Sequence, residues 1–187
     1  MGKRVIIILI IAVIIAALAA AACLFLPKKQ SNAESEAVLS AMEQMIPGFG
    51  TGSDTEDQVS SGQGREPLAA IVINGIDIVG GLEIPALDLR VPVATKGIER
   101  PCFASWVSGS PVSGRFCLSG SRDDVFSRLT KCDPGDIVLF TDVDGVQYEY
   151  EVTTQFHLKD WNEANYDLLL YYQVDKDTKF VLACTAE

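Results

Sequence analysis

A mostly β domain of the small closed-barrel kind, with one or two short helices and a membrane-crossing helix ahead of it, is the architecture the sequence predicts. Three observations lead there. An uncharged apolar run sits near the N-terminus, short β-rich runs fill residues 68–187, and an Asp-Gly pair separates two of those runs.

The apolar run comes first. Val5 to Leu26 reads VIIILIIAVIIAALAAAACLFL, 22 residues without a charge, Gly or Pro. At about 1.5 Å per residue it spans the roughly 30 Å hydrocarbon core, and it exceeds the roughly 7–15 residue core of a secretory signal. Residues 1–29 are therefore expected to anchor the chain in the cell membrane by a single pass. Cleavage among Ala19–Ala22 is the competing reading, and a lipid-modified Cys23 is the weaker one. Lys3 and Arg4 before the run balance Lys28 and Lys29 after it, so the flanking charges do not choose an orientation.

Residues 30–67 join anchor to domain. Ala33 to Ile46 places Val38, Leu39, Met42 and Ile46 near helical spacing, which predicts an amphipathic stalk helix. Pro47 to Pro67 is rich in Gly, Ser and acids and reads as a flexible linker, because so few apolar side chains cannot offset the entropy of ordering it.

In the last 120 residues, strands are predicted at Ile71–Ile73, Gly81–Pro85 and Leu87–Ala94, the last with Leu87, Leu89, Val91 and Val93 on one face. Arg115–Leu118 is another strand. Asp123–Cys132 and Trp161–Tyr172 read as helices. Ile137–Thr141 and Gln147–Thr153 flank Asp142-Val143-Asp144-Gly145, a hairpin turn signal that lacks the rest of a calcium-loop ligand set. Lys179–Thr185 closes the domain as a final strand.

Composition excludes some functions. The chain carries 15 basic and 25 acidic residues, and the four basic residues flanking the apolar run leave eleven against 25 beyond Lys29. So acidic a body does not bind nucleic acid or an anionic lipid surface. No Cys-x-x-Cys is present and the one histidine is isolated, so no zinc site, and no other cofactor, is expected. Cys102, Cys117, Cys132 and Cys184 form an even set compatible with disulfides outside the cell, in any of three pairings.

Three segments together resemble a sortase, the membrane-anchored cysteine transpeptidases of Gram-positive bacteria. Val79-Gly80-Gly81-Leu82-Glu83-Ile84-Pro85, followed by Ala86 to Val93, is similar to the family's opening strands. Phe116-Cys117-Leu118-Ser119-Gly120-Ser121, then Arg122-Asp123, Phe126, Leu129 and Gly135-Asp136, resembles the strand that ends in Ala-Gly-His and its continuation. Phe180-Val181-Leu182-Ala183-Cys184-Thr185 resembles the Thr-Leu-x-Thr-Cys strand that carries the nucleophile. The resemblance implies a sortase-like β-barrel, a domain outside the cell, and a peptide or protein sorting signal on a surface protein as partner.

It also implies chemistry that this sequence does not fully supply. A thiolate attacks the peptide carbonyl, a histidine protonates the leaving amine, and an arginine steadies the oxyanion. Cys184 matches the nucleophile, but Ser121 stands where the family has its histidine, and a hydroxyl is no proton donor at neutral pH. The arginine belongs on one further strand, and only three residues follow Cys184, so an uncovered sheet edge is expected there. His157 as the acid, with Arg122 or Arg90 as the cation, would be the rearranged catalytic set. The bland readings are an exposed strand-end His157, a solvated Arg122 and a helix-capping Ser121. The sequence therefore points to a surface binding or assembly protein with impaired transpeptidase chemistry. An active sortase that attaches proteins to the cell wall or a pilus is the alternative, and a disulfide-stabilised β-domain with only topological likeness is a third reading.

Overall fold

The computed structural model describes residues 32–46, 49, 68–98, 100–159 and 166–186. The proposed anchor, nearly all of the linker and residues 160–165 lie outside them. No helix among the described residues is long and apolar enough to cross a membrane.

One helix, α1 (residues 32–45), precedes nine strands: β1 Ile71–Ile73, β2 Ile76–Ile84, β3 Leu89–Ala94, β4 Ala104–Ser110, β5 Gly114–Ser119, β6 Ile137–Asp142, β7 Gln147–Leu158, β8 Leu168–Gln173 and β9 Lys179–Ala186. They form one sheet in the order β1-β2-β3-β4-β5-β8-β9-β7-β6, and β6 pairs back onto β2. Every strand from β2 to β9 thus has a hydrogen-bonded neighbour on each side. The expected open edge beside Cys184 does not exist, because β9 lies between β7 and β8.

Alternation sorts side chains between the two faces of the sheet. On β3, Leu87 just before the strand, Val91 and Val93 enter the main core and Leu89 packs against it, as the sequence pattern predicts. On β8 and β9, Leu168, Leu170, Tyr172, Phe180, Leu182 and Cys184 point into that core, while Leu169, Val181 and Ala183 join Cys117 in an outer cluster. The hairpin forms where expected: the Asp142 Oδ1 accepts the amides of Asp144 and Val146, each at 2.9 Å. Strand β7 runs on five residues past Thr153, through a register shift between Val152 and Thr154.

Three expectations are corrected. Asp123–Cys132 is not an α-helix but a run of turns ending in a short 3-10 segment, Leu129–Lys131. The Ser121 carbonyl accepts the Phe126 amide at 2.9 Å, a five-residue closure incompatible with a regular helix. Leu168–Tyr172, read as part of a helix, is strand β8, covered on both faces and therefore without alternation. Among the described residues no disulfide joins Cys102, Cys117, Cys132 and Cys184, all of them buried, so no pairing among these four holds this fold.

Helix α1 forms as its period predicts, yet it is no projecting stalk. Val38, Met42, Ile46 and, beyond it, Phe49 pack on Ile73, Ile76, Ile78, Ala94 and Phe103. Full burial of each such side chain is worth about 1.5–3 kcal/mol, which ties the helix to the sheet. A β-carbon at Gly81 would lie 2.2 Å from Phe49 Cε2, so only glycine admits this approach.

Candidate functional site

Strands β5 and β8 run side by side in parallel, with Phe116 opposite Leu168 and Ser119 opposite Tyr171. Where both strands end, a cleft of about 540 Å³ opens. It is lined by Ser119 at the end of β5, Gly120 and Ser121 after it, and Tyr171, Tyr172 and Gln173 of β8. Arg100, Pro101, Phe103 and Ser105 form a wall, and Arg122 and Asp123 complete the lining. Such a volume lies within the roughly 300–1,000 Å³ typical of ligand sites.

Gly120 sets the turn out of β5. A β-carbon there would lie 2.6 Å from both Phe126 Cδ2 and Val125 Cγ1, so the chain passes those two buried residues only as glycine. The Gly120 amide donates to the Tyr171 carbonyl at 3.0 Å, fixing Ser121 beside the end of β8. Arg122 Nη1 donates to the Val174 carbonyl at 3.3 Å, a second strap between the two strand ends. Tyr172 is 7% exposed and stacks on Phe180 with ring centroids 5.0 Å apart.

Helix α1 braces the opposite wall. Arg100 is ion-paired with Glu34, and the Ser35 hydroxyl donates to the Cys102 carbonyl at 3.1 Å. Cys102 adopts a left-handed backbone, φ +61°, which is unusual for a residue with a side chain. Its single S–H has two acceptors in reach, Asn32 Oδ1 at 2.8 Å and Asp124 Oδ1 at 3.2 Å, so one side chain lies between the helix and the turn after Ser121.

The residues singled out from the sequence separate into two places. Ser121 and Arg122 line the cleft. Cys184 does not. It pairs with Leu168, which pairs with Phe116, three residues before Ser119 on β5. That puts Cys184 roughly 10 Å along the strands and roughly 10 Å across them from Ser119, with Ser121 further still. Cys184 is fully buried, and burial, helped by the nearby Cys132, pushes its thiol from 9.0 up to about 12. At neutral pH only about one such thiol in 10⁵ is ionised.

His157 lies on β7, exposed, edge-on to Phe180 at 5.6 Å, and it is not among the residues lining the cleft. Arg90 faces α1 instead: it pairs with Glu43 at 2.5 Å and lies 4.5 Å over the Phe49 ring. Neither completes a set with Cys184. Burial likewise raises the Cys117 thiol to about 12 and the Cys132 thiol to about 11.

Tyr171, Tyr172 and Gln173 escaped the sequence reading because β8 was read as helix. The signal present was the run Leu168-Leu169-Leu170-Tyr171-Tyr172, whose length and aromatic content suit a strand covered on both faces. Among the described residues, no group of three or more His, Cys, Asp or Glu is placed to hold a metal.

Residues 82–185 match the family pattern described as the sortase domain. Among solved structures the chain is similar to sortase C1 of Streptococcus agalactiae, at 16% identity, 62% of this chain, 70% of that one and a TM-score of 0.51. It is similar to sortase A of Listeria monocytogenes at 19% identity, over 59% of this chain and 87% of that one, with a TM-score of 0.51. Sortase C of Streptococcus pneumoniae gives 19% identity, 59% and 68% coverage and a TM-score of 0.52. No curated protein matches the chain. With the family pattern spanning more than half of its length on a fold those sortases share, this protein belongs to the sortase family.

Proposed function

We propose that this sortase-family chain holds a peptide segment of a surface protein in the β5/β8 cleft without forming a thioacyl bond to it. One observation carries the reading. The strand end beside Ser121 is Tyr171-Tyr172-Gln173, and among the described residues that line the cleft there is neither a cysteine nor a histidine. Acyl transfer at this place would need a nucleophile and a proton donor within hydrogen-bond reach of one peptide bond. Serine hydroxyls, tyrosines, a glutamine and two arginines are suited to holding a peptide, not to cleaving it.

In this reading β8 occupies the place of the nucleophile strand and β9 that of the strand beyond it, with the β2–β6 pairing closing the barrel. Cys184 is then a core residue. The apolar Val5–Leu26 run would anchor the chain in the membrane by a single pass with the folded part outside, and the partner would be a surface protein undergoing display or assembly.

The test is to incubate the full chain in detergent with a fluorescent sorting-type peptide and triglycine. Expected are saturable binding and an uncleaved peptide, unchanged by Cys184→Ala and by His157→Ala. A thioacyl adduct on Cys184, or a triglycine product lost in Cys184→Ala, would refute it.

A further inference from the structure

We propose that the segment held in this cleft is acidic, recognised through its carboxylates by Arg100 and Arg122; the inference rests on the reading of the cleft as a peptide site. The body of the chain carries eleven basic against 25 acidic residues beyond Lys29, yet two arginines are among the residues that line one small cleft. Arg100 already has Glu34 as a counterpart, whereas Arg122 has no ion pair among the described residues, so a neutral peptide would leave Arg122 without a carboxylate partner. Carboxylates match the guanidinium fork in geometry and charge, and hydrogen bonds between ionised groups are about twice as strong as neutral ones.

A carboxylate is already present beside Arg100. Glu34 of α1, outside the lining residues, is ion-paired with Arg100, which shows that this guanidinium takes a carboxylate partner. Arg122 is steadied by the Val174 carbonyl, a contact made by one of its five donors. The hydroxyls of Ser105, Ser119 and Ser121 line the space between strands and wall, where they match peptide carbonyls and amides.

Glu34 and an incoming carboxylate would share Arg100. Binding of an acidic segment therefore competes with one contact of α1, and removing the Glu34 charge frees Arg100 for the ligand.

The experiment uses the full chain in detergent and two fluorescent peptides of equal length, Gly-Thr-Glu-Thr-Glu-Gly and Gly-Thr-Gln-Thr-Gln-Gly. The glutamate peptide is expected to bind about tenfold more tightly, with a preference that fades as salt is raised. Arg122→Gln should erase the preference while leaving the glutamine peptide within about twofold, and Glu34→Gln should tighten the glutamate peptide several-fold. Both variants alter exposed side chains, and unchanged thermal melting confirms their folding. Equal binding of the two peptides would overturn the acidic preference and leave the peptide reading standing. Binding of neither would overturn both. Displacement by inorganic phosphate at the same concentration as by the glutamate peptide would mark a plain anion site and overturn the proposal.

Discussion

Alkylation of Cys184 puts the location of the chemistry to a quantitative test. Attack on iodoacetamide requires the thiolate. A free cysteine of ordinary pKa, about 8.5, is about 3% ionised at neutral pH, whereas the Cys184 thiol, raised to about 12, is about 10⁻⁵ ionised. The ratio is roughly 3,000-fold, before the added requirement that a fully buried sulfur be exposed by opening of the core. Peptide-level mass spectrometry of chain labelled for increasing times, native and in guanidinium, gives both rates. Native labelling should be at least about 10³-fold slower, rising tenfold per pH unit without a plateau near 8.5. A native rate within about tenfold of the unfolded one, or a pH midpoint below about 8.5, would show an activated nucleophile and refute the buried-core assignment.

Two further outcomes follow from the packing and the titrations. Met42→Ala should cost about 2–5 kcal/mol in urea unfolding, because Met42 is fully buried between α1 and the sheet; a projecting stalk helix would lose almost nothing. Stability should fall on the alkaline side. The native Cys184 thiol keeps its proton from 9.0 up to about 12 while the unfolded one ionises, so its contribution is full below about pH 9 and is lost as pH climbs toward 12. The slope is at most about 1.4 kcal/mol per pH unit for that thiol, and Cys184→Val should remove this share from urea midpoints measured between about pH 8 and 10.5.

The sequence carried much of the fold because several elements have one face in the core. Leu87, Leu89, Val91 and Val93 announced β3, and the Asp144-Gly145 pair announced the β6–β7 hairpin. Val38, Met42 and Ile46 announced α1, although nothing in their spacing said what the helix would cover. Elements buried on both sides were the opaque ones. In β8 the inward Leu168, Leu170 and Tyr172 and the outward Leu169 and Tyr171 are all apolar, which erases the period-two signal. Strand β4, with its serines and glycine, lacks apolar weight and went unread.

The turns over Asp123–Cys132 misled in the opposite way. Val125, Phe126 and Leu129 have helical spacing, but the Ser121 carbonyl and the Cys102 thiol hold the chain in another path. Ser121 and Arg122 were legible as site residues from the strand they follow. Which strand end lies beside them was not, because that depends on the parallel pairing of β5 with β8 across about fifty residues of chain.

The register shift in β7 acts like a frameshift within one strand. Before it, Tyr150 and Val152 enter the main core; after it, Phe156 and Leu158 lie in the outer cluster, although all four positions are even-numbered. Removing one residue at Thr153 would take out the extra residue while Thr154 keeps Ala183 and Gln155 keeps Leu182 as partners, so Phe156 and Leu158 would stay on the outer face. Loss of one residue is therefore tolerable at the shift itself and ruinous elsewhere in β7, where it turns every following side chain to the other face. An alignment of related chains that shows a one-residue gap within residues 152–154 should show the hydrophobic pattern of the following four residues unchanged.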